Sequence, residues 1–221
     1  MPGRGNQTPD LKKRPLPKSF STTVFAGIAS GILTGPARAA IPAEPTGEAM
    51  KFDNVMNGKS YFGGALDPEI ASLLEDAAVH FADTRKALSS LLEAREKAPY
   101  ALAVFFSLYK FYFYKNQLEL AEKTVRESLF EAAYQGGFPV DATLVETAGN
   151  PFFLDPSSPH YFYLFSSKAL SFILLRQGRI EEAQALLSEL SRLDPSDQVG
   201  SSVIRDYLKG ATRSTSLDPV H

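Results

Sequence analysis

The chain has no cysteine and no tryptophan. The first absence excludes disulfides, thiolate catalysis, iron–sulfur clusters and cysteine-based zinc sites together. Histidine is nearly as scarce: His80, His160 and His221 are the only three in 221 residues. They are too few for a multi-histidine metal centre, and neither a metal nor an organic cofactor is expected. A surplus of charge is missing too. Twenty-three lysines and arginines against 25 aspartates and glutamates leave a formal charge of −2. A protein that neutralises phosphates needs a basic excess, so nucleic acid is not expected as a partner. Nor is there a long apolar run. The uncharged stretch 19–37 holds nine apolar residues, too few to cross a bilayer, and no transmembrane segment is expected.

What is present is unevenly spread. Residues 1–49 carry Arg4, Lys12, Lys13, Arg14, Lys18 and Arg38 against Asp10, Glu44 and Glu48, a net +3 that leaves −5 on the remainder. Prolines and glycines interrupt every periodicity there, so 1–49 reads as a disordered tail. Two other readings compete for it. Lys12-Lys13-Arg14 to Lys18, the apolar stretch 24–33 and Ala37-Arg38-Ala39 have the order of a signal peptide, which would place the mature chain in the periplasm. Alternatively the start is misassigned and Met50 is the true first residue. A helical domain is expected over 50–210, and a flexible C-terminus over 211–221.

Within 50–210 the signals are helical. Asp67-Pro68 combines an N-cap with proline at the first helical position, and Asp83 can cap the next helix, which Pro99 breaks. Ile180, Ala183, Leu187, Leu190 and Leu193 recur every three to four residues, with Glu181, Glu182 and Glu189 on the wet side. Val199, Val203, Ile204, Tyr207 and Leu208 form a further amphipathic face. No alternating apolar stretch is long enough for a sheet, and the expected class is all-α.

The helices repeat. Ala87 and Ala121 are 34 residues apart, and Ala183 follows 62 later, one more period of 34 plus an insertion of 28. In 164–197, Leu170 and Leu174 line a first helix and Gly178 stands at a turn. Ala183, Leu187 and Leu190 line a second helix, which Asp194-Pro195 ends. The matching residues in 102–135 are Phe105, Leu108, Tyr112, Asn116, Ala121, Val125 and Ser128. In 68–101 they are Leu74, Ala78, Ala82, Ala87, Leu91, Ala94 and Pro99. At these residues the sequence resembles the tetratricopeptide-repeat (TPR) family. The resemblance implies a right-handed stack of about three TPR-like helix–turn–helix hairpins plus a C-terminal capping helix. Tyr109 departs from it at a position usually small, and Ala133 stands where the closing proline would be.

The resemblance also implies that first helices line a concave wall where protein segments dock. The inward positions are Phe106, Lys110, Phe113 and Tyr114 in the second unit, and Phe165, Lys168, Phe172 and Arg176 in the third. In the first they are Ser72, Asp76, Val79 and His80. Phe106, Lys110, Phe113, Tyr114, Lys168, Phe172 and Arg176 are the candidate partner-binding residues, since rings bury apolar anchors and cations pair with carboxylates. The expected partner is a protein or peptide of acidic character. The asparagine set of the carboxylate-clamp subfamily is not found. The plainer reading of Tyr109 to Tyr114 is packing of a sandwiched helix, most of all for Phe111 and Tyr112. Lys110, Lys168 and Arg176 read equally well as a solvated basic edge.

The insertion 136–163 carries Phe138, Phe152, Phe153, Tyr161, Phe162 and Tyr163. So many rings disfavour an exposed loop, and it is expected either to fold over the helices and partly cover the groove or to fill space between repeats. Catalysis finds little support. Gly63-Gly64 and Gly136-Gly137 lack the rest of a phosphate loop, and His160 and the pair His80–Asp76 read as surface residues. No catalytic residue is assigned, and the chain is not expected to be an enzyme.

Three blocks carry a narrower resemblance. They are Phe52-Asp53-Asn54-Val55-Met56-Asn57-Gly58 with Ser60-Tyr61-Phe62-Gly63-Gly64, then Leu108 to Tyr114, then Asp194-Pro195 through Val199-Gly200-Ser201. Together, over about 50–210, they are similar to small TPR-like proteins encoded beside nitrogenase genes. This implies a cytoplasmic accessory scaffold whose 52–64 segment packs on the first repeat. The competing expectation is a small-molecule or lipid pocket, conceivably a weak enzyme, lined by Phe106, Phe113, Phe152, Phe153 and Phe172. An exported assembly factor differs from the scaffold mainly in address.

Overall fold

A computed structural model describes Phe62, residues 64–146 and residues 156–215, with side chains described as far as Lys209. The tail 1–49, the blocks at 52–61 and Gly63, and Phe152 and Phe153 lie outside the described residues. So does the stretch from 216 onward.

The described residues form seven α-helices and no strand. They are α1 (Pro68–Val79), α2 (Thr84–Lys97), α3 (Leu102–Tyr114), α4 (Leu118–Gly136), α5 (Pro159–Arg176), α6 (Ile180–Leu193) and α7 (Ser202–Thr215), with a 3-10 turn over Ala142–Leu144 before α5. Asp67 caps α1 by accepting from the Glu69 amide at 2.8 Å, with Pro68 in the first turn where its missing N–H costs nothing. Asp83 caps α2 through the Arg85 and Lys86 amides.

Consecutive helices pair as α1/α2, α3/α4 and α5/α6. Ala87, Ala121 and Ala183 are each the fourth residue of the second helix of a pair, and each is 0% exposed. The second and third pairs share one turn geometry. Asn116 and Gly178 both have positive φ, and the next residue's amide reaches back to Tyr112 O at 2.8 Å in one and Leu174 O at 2.9 Å in the other. The first pair turns differently, through a longer link ending at the Asp83 cap. The first and third pairs share their ending. Ala98 (φ −129°, ψ 69°) and Asp194 (φ −126°, ψ 69°) terminate α2 and α6, each just before a proline. The second pair has Ala133 at that point, and α4 runs on for 19 residues to the left-handed Gly137.

α3 is buried on two sides. Ala103, Val104, Leu108 and Phe111 join a core with α1 and α2, while Leu102, Phe105, Phe106 and Tyr109 join a second core with α4, α5, α6 and the start of α7. This explains a helix with almost no polar stripe, and Phe111 and Tyr112 belong to the packing. Side-chain bonds stitch neighbouring pairs. Lys115 Nζ donates to Phe81 O at 2.8 Å, and Gln135 donates to Tyr100 O at 2.8 Å. Arg179 Nη1 donates to both carboxylate oxygens of Glu122, at 2.8 and 2.7 Å.

Three expectations need correction. α5 begins at Pro159, capped by Ser158, so the link from α4 is shorter than the insertion 136–163 read from the sequence. α7 continues to Thr215, past the boundary at 210 read for the helical domain. Val203 is 72% exposed while Ile204 and Leu208 are buried, because adjacent residues diverge by about 100° around a helix.

Candidate functional site

Two first helices, α3 and α5, lie side by side and present a face built of rings and cations. Small residues on α5 allow the approach. Ser166, Ser167 and Ser171 are buried, and the Tyr109 hydroxyl lies 3.5 Å from Ser166 Oγ. The large side chain is thus housed between α3 and α5. Burial pushes its hydroxyl far above the ordinary tyrosine range.

Phe106 is buried, 5.5 Å from the Tyr109 ring and 5.8 Å from that of Phe165. Lys110, one turn on, is only 6% exposed, with Nζ 5.3 Å from the Phe106 centroid. Desolvation lowers its pKa. Lys168 on α5 is half-buried, 4.7 Å above the Phe165 ring, and donates to Val199 O in the link to α7. Burial lowers its pKa as well, opposed by the charges of Asp197 and Asp194.

The other end of the face is more open. The Phe113 and Phe172 rings are 5.6 Å apart, and the Arg176 guanidinium sits 5.6 Å from the Phe113 centroid. Arg176 also donates to Asn116 Oδ1 at 3.3 Å, so it reaches across the two pairs. Tyr114 is exposed, edge-on to Phe113 at 5.7 Å and to Phe81 at 6.2 Å. The structure therefore brings Phe106, Lys110, Phe113, Lys168, Phe172 and Arg176 together along α3 and α5, with Phe106 and Lys110 buried, the other four partly exposed and Tyr114 at the edge.

The first pair contributes less. Asp76 turns toward α2, accepting from Ser90 Oγ at 2.6 Å and pairing with His80 Nδ1 at 3.0 Å. The Ser90 bond is the main reason its carboxyl is held below the ordinary range, with His80 and Lys86 adding to it. Ser72 and Val79 are exposed.

One contributor was not foreseen. Phe62 packs on Phe106, Tyr161, Phe162 and Phe165, so it lies on the second and third pairs rather than on the first, where the 52–64 segment was expected. The described part of the α4–α5 link is tied elsewhere. Phe138 packs on His160 and Tyr163, and Tyr163 donates to Val140 O at 2.8 Å. Arg192 of α6 donates to Val145 O at 2.9 Å and to Ala142 O. Burial, before any charge effect, pushes the Tyr163 hydroxyl up to about 12.

Among the described residues no cluster of three or more histidines, aspartates and glutamates is placed to hold a metal ion. None of the described helices is long and apolar enough to cross a membrane.

The chain is similar to an uncharacterised 19.8 kDa protein in the nifW 5′ region of Azotobacter chroococcum mcd 1, 29% identical over 153 residues. The similarity covers 67% of this chain and 82% of that relative, which makes it a distant relative from a nitrogen-fixation gene region. No family model matches the chain, and no solved structure matches it.

Proposed function

We propose that the three helix pairs form a right-handed TPR-like stack and that the chain is a non-enzymatic scaffold of nitrogen fixation. In this reading it works in the cytoplasm and holds an acidic protein segment against the α3–α5 face. The observation that carries the reading is the composition of that face. α3 and α5 include Lys110, Lys168 and Arg176 and not one aspartate or glutamate, while the second helices α2, α4 and α6 all carry glutamates. A surface of rings with cations of one sign is complementary to a segment with apolar anchors and carboxylates. The equivalent burial of Ala87, Ala121 and Ala183 supports the TPR-like assignment, because close helix crossings need small side chains. The relative from the nifW 5′ region supports the link to nitrogen fixation.

Affinity capture from nitrogen-fixing cells tests the reading. The native chain is expected to retain a specific protein that the double variant Tyr114→Ala, Arg176→Glu loses, with circular dichroism unchanged. Equal capture by both chains would remove the face from the account.

A further inference from the structure

Two arginines flank the turn between α5 and α6, and their surroundings differ. Arg179 is enclosed by carboxylates. Its Nη1 donates to both oxygens of Glu122 at 2.8 and 2.7 Å, and its Nε and Nη2 donate to Glu182, each at 2.6 Å. Arg176, the last residue of α5, has no carboxylate partner among the described residues. Its guanidinium is nevertheless held. Nη2 donates to Asn116 Oδ1 at 3.3 Å, and the guanidinium carbon lies 5.6 Å from the Phe113 centroid, within cation–π reach. Among the described residues, Nε and Nη1 have no hydrogen-bond partner.

Asn116 is exposed and sits at φ 56° in the α3–α4 turn, where Gly178 serves in the α5–α6 turn. The turn does not need the amide, since glycine adopts this backbone with less strain. Among the described residues, the one hydrogen bond of the Asn116 side chain is the one it accepts from Arg176. That bond joins the second pair to the third at the open end of the α3–α5 face. The Phe113 and Phe172 rings, 5.6 Å apart and both partly exposed, supply apolar surface beside it.

We propose that Arg176 is a carboxylate-binding residue with Asn116 as its positioning residue. The group it takes is a glutamate or aspartate side chain next to an aromatic residue in a docked protein segment. A guanidinium presents its N–H groups as a planar fork, and a carboxylate meets two of them at once. Nη2 carries two hydrogens and Asn116 takes one, so a two-pronged edge remains whichever is used. Because Asn116 and Phe113 fix the guanidinium beforehand, less side-chain freedom is lost on binding. The neighbouring ring of the segment rests on Phe113 and Phe172. This inference rests on the docking reading above and names the contact that reads charge.

NMR titration of the full chain tests it with two end-blocked dipeptides, phenylalanyl-glutamate and phenylalanyl-glutamine, followed at the Arg176 Nε–H signal. The native chain should bind the glutamate form about threefold or more tighter. Asn116→Gly should reduce that preference while the urea midpoint changes little, a split that a purely structural role at the turn would not produce. Asn116→Asp, which supplies Arg176 with a carboxylate from the chain itself, should reduce it too. Equal affinity of the native chain for the two dipeptides, or binding of neither, overturns the carboxylate site. A preference undiminished in either Asn116 variant overturns the positioning role. No cellular partner enters this measurement. The docking reading fails separately, through equal capture by the native chain and the Tyr114→Ala, Arg176→Glu variant.

Discussion

Asn116 and Gly178, 62 residues apart, hold the same place in two hairpin turns, with φ of 56° and 80°. Only the glycine is free of strain there. A Cβ at Gly178 meets nothing within 4 Å, so Gly178→Ala isolates the backbone effect. It should cost about 1 kcal/mol. Asn116→Gly should change stability by about 0.5 kcal/mol or less, since asparagine tolerates this region. Urea unfolding of the two variants checks the equivalence.

The three buried alanines give a second check. Each is 0% exposed at the start of a second helix, so enlargement to leucine should overpack each site. We expect about 1–3 kcal/mol of destabilisation at Ala87, Ala121 and Ala183 alike. A variant tolerated at one of the three, measured by the same unfolding assay, would show that the sites are not equivalent.

α4 outruns α2 and α6 because nothing stops it at Ala133. Ala133→Pro would remove an amide from the interior of a 19-residue helix, and the expected loss is about 3 kcal/mol. Pro195→Ala, at the matching point beyond α6, should cost less than about 1 kcal/mol. Urea midpoints with unchanged slopes would give both values.

Glu122 ties the second pair to the third. Burial alone would raise its pKa, but bonds from Arg179, Arg126 and Gln177 outweigh it and hold the carboxyl below its ordinary 4.5. A folded pKa below the unfolded one means that this stabilisation is complete above about pH 4.5 and is lost as pH falls through the folded value. Glu122→Gln should therefore weaken the fold by about 1 kcal/mol at pH 7, a figure kept small because Arg179 is partly exposed. The gap from the native chain should close in acid, as thermal melts across pH would record.

The helices and their caps were legible because these signals are local. Asp67-Pro68, Asp83 and Asp194-Pro195 mark helix ends through their own backbone chemistry, and the alanine spacing marks where helices cross. The absent proline at Ala133 was legible too, and Gly137 marks where α4 stops instead. The site was harder to read. Register brought Phe106, Lys110, Phe113, Lys168, Phe172 and Arg176 together along α3 and α5, yet nothing local pairs Phe62 with Phe165, Lys168 with Val199 O or Arg179 with Glu122. Such long-range contacts depend on how pairs stack, and a single sequence does not encode that in any short window.

The α3–α5 face as the docking surface is tested most directly by hydrogen–deuterium exchange of the native chain with and without its captured partner. The account predicts added protection confined to α3 and α5. Protection confined to α2, α4 and α6, or none in α3 and α5, would contradict it.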